Sequence, residues 1–192
     1  MKILLFCAKA FETMEFSPFV DIFGWAADEM TQPIEVITGG FTSRVVSTFG
    51  IPIEVQVTLP EIRAADYDAL AIPGGFEEYG FYEEVYDERF LALIREFDRL
   101  GKPIASVCVA ALPIGKSGVL VGRNATTYHL DGGKRQGILA SFGVDVIDEP
   151  IVIDGNIITS YCPETAPGVA FALLEKLAGH NVRELVQQKM GF

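Results

Sequence analysis

Short apolar runs alternate along the chain with longer stretches in which apolar residues recur at helical spacing. The first apolar run is "KILLFC" (2–7), and the first helical stretch extends from about Phe16 to Met30. The apolar face of that helix is predicted to be Phe19, Val20, Phe23, Ala26 and Ala27. Strands that alternate with amphipathic helices are typical of βαβ units, in which helices cover a parallel sheet on both faces. The pattern predicts an α/β fold with a mostly parallel central sheet, in a single domain over residues 1–192.

The same periodicities, together with turn residues, predict the remaining elements. Further strands are expected at 34–38, 68–75 (ending in a Pro-Gly-Gly turn), 104–108 and 124–129. Helices are expected over 87–100, 132–141, 165–178 and 182–189, and another opens at Val109. Two stretches predict antiparallel pairing, namely "SRVVST" with "IEVQVT" (43–58) and "IVIDGNIITS" (151–160).

Composition limits the class of protein. The chain has 192 residues, 49% of them hydrophobic and 21% charged, which is enough apolar material for a sizeable core and excludes a disordered chain. The formal net charge of -11 argues against nucleic acid as a partner, because an acidic surface repels phosphates. The first apolar run is too short for a signal-peptide core or a membrane span. We therefore expect a cytoplasmic protein without a membrane partner.

The chain has three cysteines, Cys7, Cys108 and Cys162. They cannot all pair with one another and have no C-x-x-C spacing, so neither a disulfide framework nor a zinc site is predicted. At least one thiol should be free.

The stretch "PIASVCVAALPIGKSG" (103–118) puts Cys108 between a predicted strand and a predicted helix. A side chain at such a turn lies near the helix N-terminus, as in a nucleophile elbow. The unpaired N–H groups and partial positive charge of a helix N-terminus favour thiolate over thiol, which lowers the pKa of a cysteine. The residues alone leave a second interpretation open, because free cysteines are often small buried hydrophobes.

Other chemical groups follow neighbouring strands and are expected at the same edge of the sheet. Gly74 and Gly75 form a turn that would let backbone N–H groups approach an oxyanion, or an ordinary tight turn. His129 follows a predicted strand and is a candidate base, although a single histidine is more often structural. The loop after the first strand carries Glu12 and Glu15, and the interpretation as a solvated acidic loop is favoured more for Glu12. A carboxyl beside a thiolate should have a raised pKa and donate a hydrogen bond to sulfur.

Five motifs occur in the order and spacing of a known family: "AKAFETMEFSPFVDIF", "ALAIPGG", "ASVCVAALPIGKSGVL", "TTYH" and "DGNIITSYCPETAPGVAFALLEKL". Over essentially the whole chain the sequence resembles the ThiJ/PfpI superfamily, in particular the branch of the parkinsonism-associated deglycase. The resemblance implies a flavodoxin-like three-layer sandwich of the class I glutamine amidotransferase-like kind. It also implies a homodimer with one reactive cysteine per subunit.

The resemblance assigns roles to individual positions. Cys108 matches the nucleophile, Glu15 the protonated glutamate that hydrogen-bonds its sulfur, and His129 the histidine near that cysteine. The oxyanion pocket corresponds to Gly75, the neighbouring Gly74 and the N–H of Val109. Asp21 matches an acidic residue that lies near the dimer partner's site.

Three departures from the family pattern narrow these expectations. Val109 stands where relatives with peptidase activity have a histidine, so a Cys-His protease dyad is not expected. Thr48 and Phe49 stand where some relatives place a basic residue, which puts recognition of a substrate carboxylate or phosphate in doubt. Cys162 replaces a glycine of a turn near the nucleophile, and we hypothesise that it can act as a resolving thiol.

Three functions remain in competition. The first is a glyoxalase or deglycase-type enzyme that acts on small 2-oxoaldehydes or their adducts and needs no metal or organic cofactor. The second is an oxidative-stress sensor in which Cys108 becomes a sulfinate stabilised by Glu15. The third is a chaperone-like protein that binds through its dimer surface or through the aromatic segment "FEEYGFYEEVY" (76–86), which is either a lid or a loop packed inward.

Overall fold

Strands and helices alternate along most of the chain in a computed structural model that describes residues 1–31 and 33–192. The strands are β1 (Lys2–Phe6), β2 (Glu35–Gly40), β3 (Arg44–Val46), β4 (Pro52–Glu54), β5 (Val57–Thr58), β6 (Ala69–Ile72), β7 (Ile104–Ser106), β8 (Asn124–Ala125), β9 (Asp145–Val146), β10 (Ile151–Asp154) and β11 (Ile157–Ser160). The helices are α1 (Thr13–Glu29), α2 (Phe81–Val85), α3 (Glu88–Arg99), α4 (Ala111–Lys116), α5 (Lys134–Ser141), α6 (Ala166–Ala178) and α7 (His180–Met190).

The main sheet has the strand order β10-β11-β7-β6-β1-β2-β5 in the described part of the chain. Every neighbouring pair in it is parallel except β10 and β11, which form an antiparallel hairpin at one edge. Apart from the exposed Lys2 at the start of β1, the central strands β1 and β6 consist of buried apolar residues, as a parallel sheet covered on both faces requires. The predicted α/β fold with a mostly parallel central sheet is therefore confirmed.

Helices form the two outer layers. Helices α1, α6 and α7 pack against one another, and α3, α4 and α5 form a second group. The buried face of α3 consists of Phe90, Leu91, Leu93, Ile94 and Phe97. The N-cap of α3 is Asp87, whose carboxylate accepts a hydrogen bond from the N–H of Arg89 at 2.9 Å. Among the described residues, no helix combines the length and the apolar character needed to cross a bilayer.

Helix α1 differs from its predicted form in two ways. It begins at Thr13, three residues before the predicted start, so that Pro18 lies inside the helix rather than in its first turn. The prediction that Val20 and Ala27 face the core is wrong, because both are exposed and Ile22 takes part in the buried face instead. The helical period is right, but the apolar stripe is narrower than the number of apolar residues suggests.

Three further predictions change in detail. Strands β3 and β4 form the expected antiparallel pair, but Val57–Thr58 leaves that pair and joins the main sheet parallel to β2. The predicted strand at 124–129 is regular only over Asn124–Ala125, which pairs with β9. The helix expected from residue 132 begins at Lys134, because Gly132 and Gly133 have φ values of +64° and +74°.

Candidate active site

A cleft of about 610 Å³ lies at the carboxyl edge of the sheet. The carboxyl ends of β6, β7 and β11 meet there, and the N-terminal part of α1 approaches from the loop after β1. Six residues singled out in the sequence line this cleft: Glu15, Gly75, Cys108, Val109, His129 and Cys162. The order of the strands therefore brings together groups that are up to 147 positions apart in the chain (from 15 to 162).

Cys108 occupies a strained turn between β7 and α4. Its φ is +57°, a left-handed conformation that costs a residue with a side chain about 1–2 kcal/mol. Cys108 is the first residue of a single 3-10 turn, Cys108–Ala110, which leads directly into α4. The side chain is largely buried, with 7% of the residue exposed, but it reaches the cleft. Strain of this kind persists where the surrounding structure fixes it, which is typical of functional sites.

Glu15 is a buried carboxyl beside this cysteine. Only 1% of the residue is exposed, and its Oε2 accepts a hydrogen bond from the N–H of Gly74 at 2.5 Å. Burial raises the pKa of Glu15 to about 8, against the opposing effect of the Gly74 hydrogen bond. Glu15 is therefore mostly protonated at neutral pH and has a proton to donate to the neighbouring sulfur.

The Cys108 thiol does not have the lowered pKa that a helix N-terminus alone predicts. Burial raises the pKa of Cys108, the Glu15 carboxylate raises it further, and the N–H of Val109 lowers it only in part. Because α4 has only six residues, its dipole is a weak opposing influence. At neutral pH the Cys108 thiol is therefore protonated, as the Glu15 carboxyl mostly is.

The two glycines after β6 are required by close packing. A Cβ at Gly74 would lie 2.8 Å from Glu15 Oε2 and 3.3 Å from the Cβ of Cys108. A Cβ at Gly75 would lie 2.2 Å from the carbonyl oxygen of Ala10. The N–H of Gly74 is used by Glu15, whereas the N–H of Gly75 has no acceptor among the described residues. Of the two predicted oxyanion donors in this turn, only Gly75 is available.

His129 also lines the cleft. Its Nδ1 is 3.1 Å from Oδ1 of Asp148, and its ring centroid is 4.0 Å from that of Tyr161. A carboxylate at Nδ1 favours the tautomer in which Nδ1 carries the proton and Nε2 is free to accept one. His129 is therefore oriented as a base whose free nitrogen is Nε2.

Cys162 is a second thiol in the cleft. It is 5% exposed, and it follows β11 as the sequence predicts. Burial raises the pKa of Cys162, the Glu164 carboxylate raises it further, and the N–H of His129 lowers it. This thiol is protonated at neutral pH.

The cleft also contains a buried cation that the sequence pattern does not predict. Arg135, the second residue of α5, is only 9% exposed and its Nη2 lies 2.7 Å from Glu77 Oε2. Its guanidinium carbon lies 5.3 Å from the ring centroid of Tyr82, another residue of the cleft. In the sequence, the only indication of this cation is a basic pair, Lys134 and Arg135, at the start of a helix shortly after His129. The sequence does not reveal that Arg135 is the buried member of the pair.

Other predicted features lie outside the cleft. Asp21 is exposed on α1, Thr48 is buried and donates to the carbonyl of Ala10 at 2.6 Å, and Phe49 is exposed. The aromatic segment 76–86 combines both predicted arrangements. Phe81 is packed inward and fully buried, whereas Phe76 is exposed and lines the cleft. In the described chain, His, Cys, Asp and Glu side chains form no group of three or more that could hold a metal ion.

Comparisons with known proteins give a consistent result. Residues 1–176 match the sequence model of the DJ-1/PfpI family. A protein of Pyrococcus furiosus named deglycase PfpI is 31% identical over 166 residues, which cover 85% of this chain and 91% of that protein. The crystal structure of Drosophila melanogaster DJ-1beta superposes with a TM-score of 0.85 at 27% identity, covering 98% of this chain and 96% of that one. Schizosaccharomyces pombe DJ-1 superposes with a TM-score of 0.83 at 26% identity over the full length of both chains.

Proposed function

The chain belongs to the DJ-1/PfpI family, and on that basis we propose that it is a cofactor-independent enzyme of the glyoxalase or deglycase type. Its substrates are small 2-oxoaldehydes or their adducts. The observation that carries the proposal is the pairing of Cys108, held in a strained turn, with the buried carboxyl of Glu15 in one cleft. The name deglycase, carried by a relative 31% identical, supports the same class of reaction.

In the first step the sulfur of Cys108 adds to the aldehyde carbon. The thiol proton passes to the carboxylate form of Glu15, which a pKa of about 8 makes available in a minority of the molecules near neutral pH. The new C–S bond takes its electron pair from sulfur, and the electrons of the C=O bond move to oxygen. Glu15 then returns the proton to that oxygen, which gives a neutral hemithioacetal.

The negative charge that develops on the oxygen requires hydrogen-bond donors. The N–H of Gly75 is free of other acceptors among the described residues, and the N–H of Val109 belongs to the turn that carries the sulfur. Removing one donor of this kind typically costs about 10²–10³ in kcat.

The second step converts a 2-oxoaldehyde into a 2-hydroxy acid. A base removes the hydrogen at C1 of the hemithioacetal, a proton is delivered at C2, and the proton of the C1 hydroxyl moves to the C2 oxygen. C1 thereby becomes the carbonyl carbon of a thioester of Cys108. Nε2 of His129 is the candidate base, because Nδ1 is occupied by Asp148. Water then hydrolyses the thioester, which releases the 2-hydroxy acid and restores the thiol.

Turnover of methylglyoxal by matched cysteine variants tests this proposal. We expect Cys108→Ser to lose activity by about 10³-fold or more, because a serine hydroxyl is a far weaker nucleophile. Cys7→Ser serves as the control, since Cys7 does not line the cleft. The proposal is wrong if the wild-type protein turns over neither methylglyoxal nor phenylglyoxal, or if Cys108→Ser keeps the wild-type rate.

A second candidate function is peroxide sensing, which the second thiol of the cleft favours. The Cys108 thiolate attacks a peroxide oxygen, the O–O bond breaks, and sulfenic acid and hydroxide form. The Cys162 sulfur then displaces that hydroxyl, giving a disulfide and water. In the absence of this second reaction, another peroxide oxidises Cys108 to sulfinate. Peptide mapping after peroxide treatment distinguishes the disulfide from the sulfinate. If Cys108 forms neither product, the sensing function is contradicted.

We also propose a homodimer, as the family resemblance implies. Helix α1 supports it because its outer face exposes Met14, Val20 and Trp25 next to Asp21. Sedimentation of the wild type and of Trp25→Glu tests this interface. A monomeric wild type contradicts it, and so does an unchanged dimer in the variant.

A further inference from the structure

Thr127 holds the carbonyl of the strained cysteine. The side chain is fully buried, and its Oγ1 donates a hydrogen bond of 2.9 Å to the carbonyl oxygen of Cys108. Thr127 comes 19 positions after Cys108 and just after β8, so the contact joins two separate segments of the cleft. The mechanism proposed above does not use this hydroxyl.

The bonded oxygen belongs to the same peptide group as the N–H of Val109. A trans peptide is planar, so fixing the direction of its C=O also fixes the direction of its N–H. That N–H lowers the pKa of the Cys108 thiol, which means that it lies beside the sulfur. A hydrogen bond to the carbonyl also polarises the peptide and strengthens its N–H as a donor.

From this geometry we infer that Thr127 is a positioning residue of the candidate active site. Its hydroxyl orients the Cys108–Val109 peptide so that the N–H of Val109 faces the sulfur and the oxygen that becomes negative during addition. The second part of this role rests on the proposed function, whereas the effect on the thiol does not. Thr127 itself does not touch the substrate.

The neighbouring threonine provides a matched control. Thr126 is also fully buried, but its Oγ1 has no hydrogen-bond partner among the described residues. Replacing either threonine by valine keeps the shape of the side chain and removes one hydroxyl. Only the change at Thr127 removes a bond to the elbow.

The test is the pH dependence of Cys108 alkylation by iodoacetamide in the folded protein, followed by peptide mass spectrometry. In Thr127→Val we expect the profile to move to higher pH and the rate at neutral pH to fall about tenfold, as a rise of one pKa unit implies. Thr126→Val and Thr127→Ser should keep the wild-type profile, since both retain the hydroxyl that bonds to Cys108. Cys162 in the same samples reports whether the cleft has changed in general.

A wild-type profile in folded Thr127→Val overturns the inference, and so does a profile in Thr127→Ser that matches the valine variant. If Thr127→Val does not purify in folded form, Thr127→Ala takes its place in the comparison with Thr127→Ser. Alkylation needs no substrate, so a shifted profile in a protein without methylglyoxal turnover would reject the proposed activity and leave the role of Thr127 intact. Where turnover exists, Thr127→Val should lower kcat with little change in KM.

Discussion

Cys7 and Cys108 are two buried cysteines that follow strands of the same sheet, one after β1 and the other just beyond β7, with β6 between these strands. Cys7 is 0% exposed, and burial raises its pKa far above the ordinary range. Cys108 is almost as well buried, but its backbone is left-handed and the Glu15 carboxyl lies beside its sulfur. Unlike Cys7, it also lines the cleft. The position at a strand end is common to both residues, whereas these surroundings are not.

A position at a strand end is therefore not sufficient for chemistry. Sulfur becomes usable where a second titratable group can exchange a proton with it and where substrate has access. Cys7 lacks both and behaves as a small hydrophobe. The following predictions test how far this contrast holds.

The largest expected effect is on alkylation of the two thiols in the folded wild-type protein. Cys7 can react only from molecules that open, a fraction of about 10⁻³ or less, so Cys108 should react faster, with a ratio of at most roughly 10³. The raised pKa of Cys108 lowers its thiolate fraction and keeps the ratio below that limit. Time-resolved peptide mapping with iodoacetamide measures the ratio. In urea, where both thiols are exposed, the ratio should approach one, and equal rates in the folded protein would remove the contrast.

The second effect concerns the pH dependence of stability through Glu15. Its pKa rises from 4.5 in the unfolded chain to about 8 in the fold, so the folded state binds the extra proton between these values. Stability from Glu15 is therefore fully present below pH 4.5 and is lost as pH rises through 8. The loss should be about 5 kcal/mol, since each pKa unit corresponds to about 1.4 kcal/mol. Urea denaturation of Glu15→Gln at several pH values should show this slope removed.

The control for this slope is Glu54→Gln, which changes an exposed carboxylate of β4. That variant should keep the pH dependence of the wild type. If Glu15→Gln and the wild type lose stability in parallel from pH 5 to 8, Glu15 is not the group that binds the extra proton.

The smallest effect is on stability at one fixed pH. Cys7→Ala leaves a cavity in the core and should lower the free energy of unfolding by about 1–2 kcal/mol. Cys108→Gly should stay within about 1 kcal/mol of the wild type, because glycine adopts a positive φ without the left-handed penalty. Urea titration of both variants measures the difference. An equal loss in both would mean that the strain at Cys108 is not released by glycine.

The sequence was sufficient to predict the fold and the membership of the cleft to a large extent. Apolar runs of strand length, separated by amphipathic stretches, determine a parallel sheet, and a parallel sheet brings its strand ends to one edge. Glu15, Gly75, Cys108 and His129 could therefore be placed together from the sequence. The boundaries of α1 and the departure of Val57–Thr58 from its predicted partner could not, since both depend on tertiary packing.

Two features of the site could not be predicted from the sequence, namely the burial of Arg135 and the raised pKa of Cys108. Arg135 is a basic residue that packing with Glu77 and Tyr82 keeps inside the cleft, and no local pattern distinguishes it from the neighbouring Lys134. The raised pKa of Cys108 likewise contradicts the simple expectation from a helix N-terminus, because burial outweighs a short dipole. Both depend on how completely water is excluded, which is a property of the assembled fold.

The close packing at Gly74 and Gly75 determines where this cleft can acquire a new specificity. A methyl group at Gly74 would displace Glu15, and one at Gly75 would displace the Ala10 carbonyl. Random mutagenesis of the cleft should therefore recover no functional substitutions there. New substrate preferences must instead come from its wall, where Phe76 and Leu130 are exposed and have room to change.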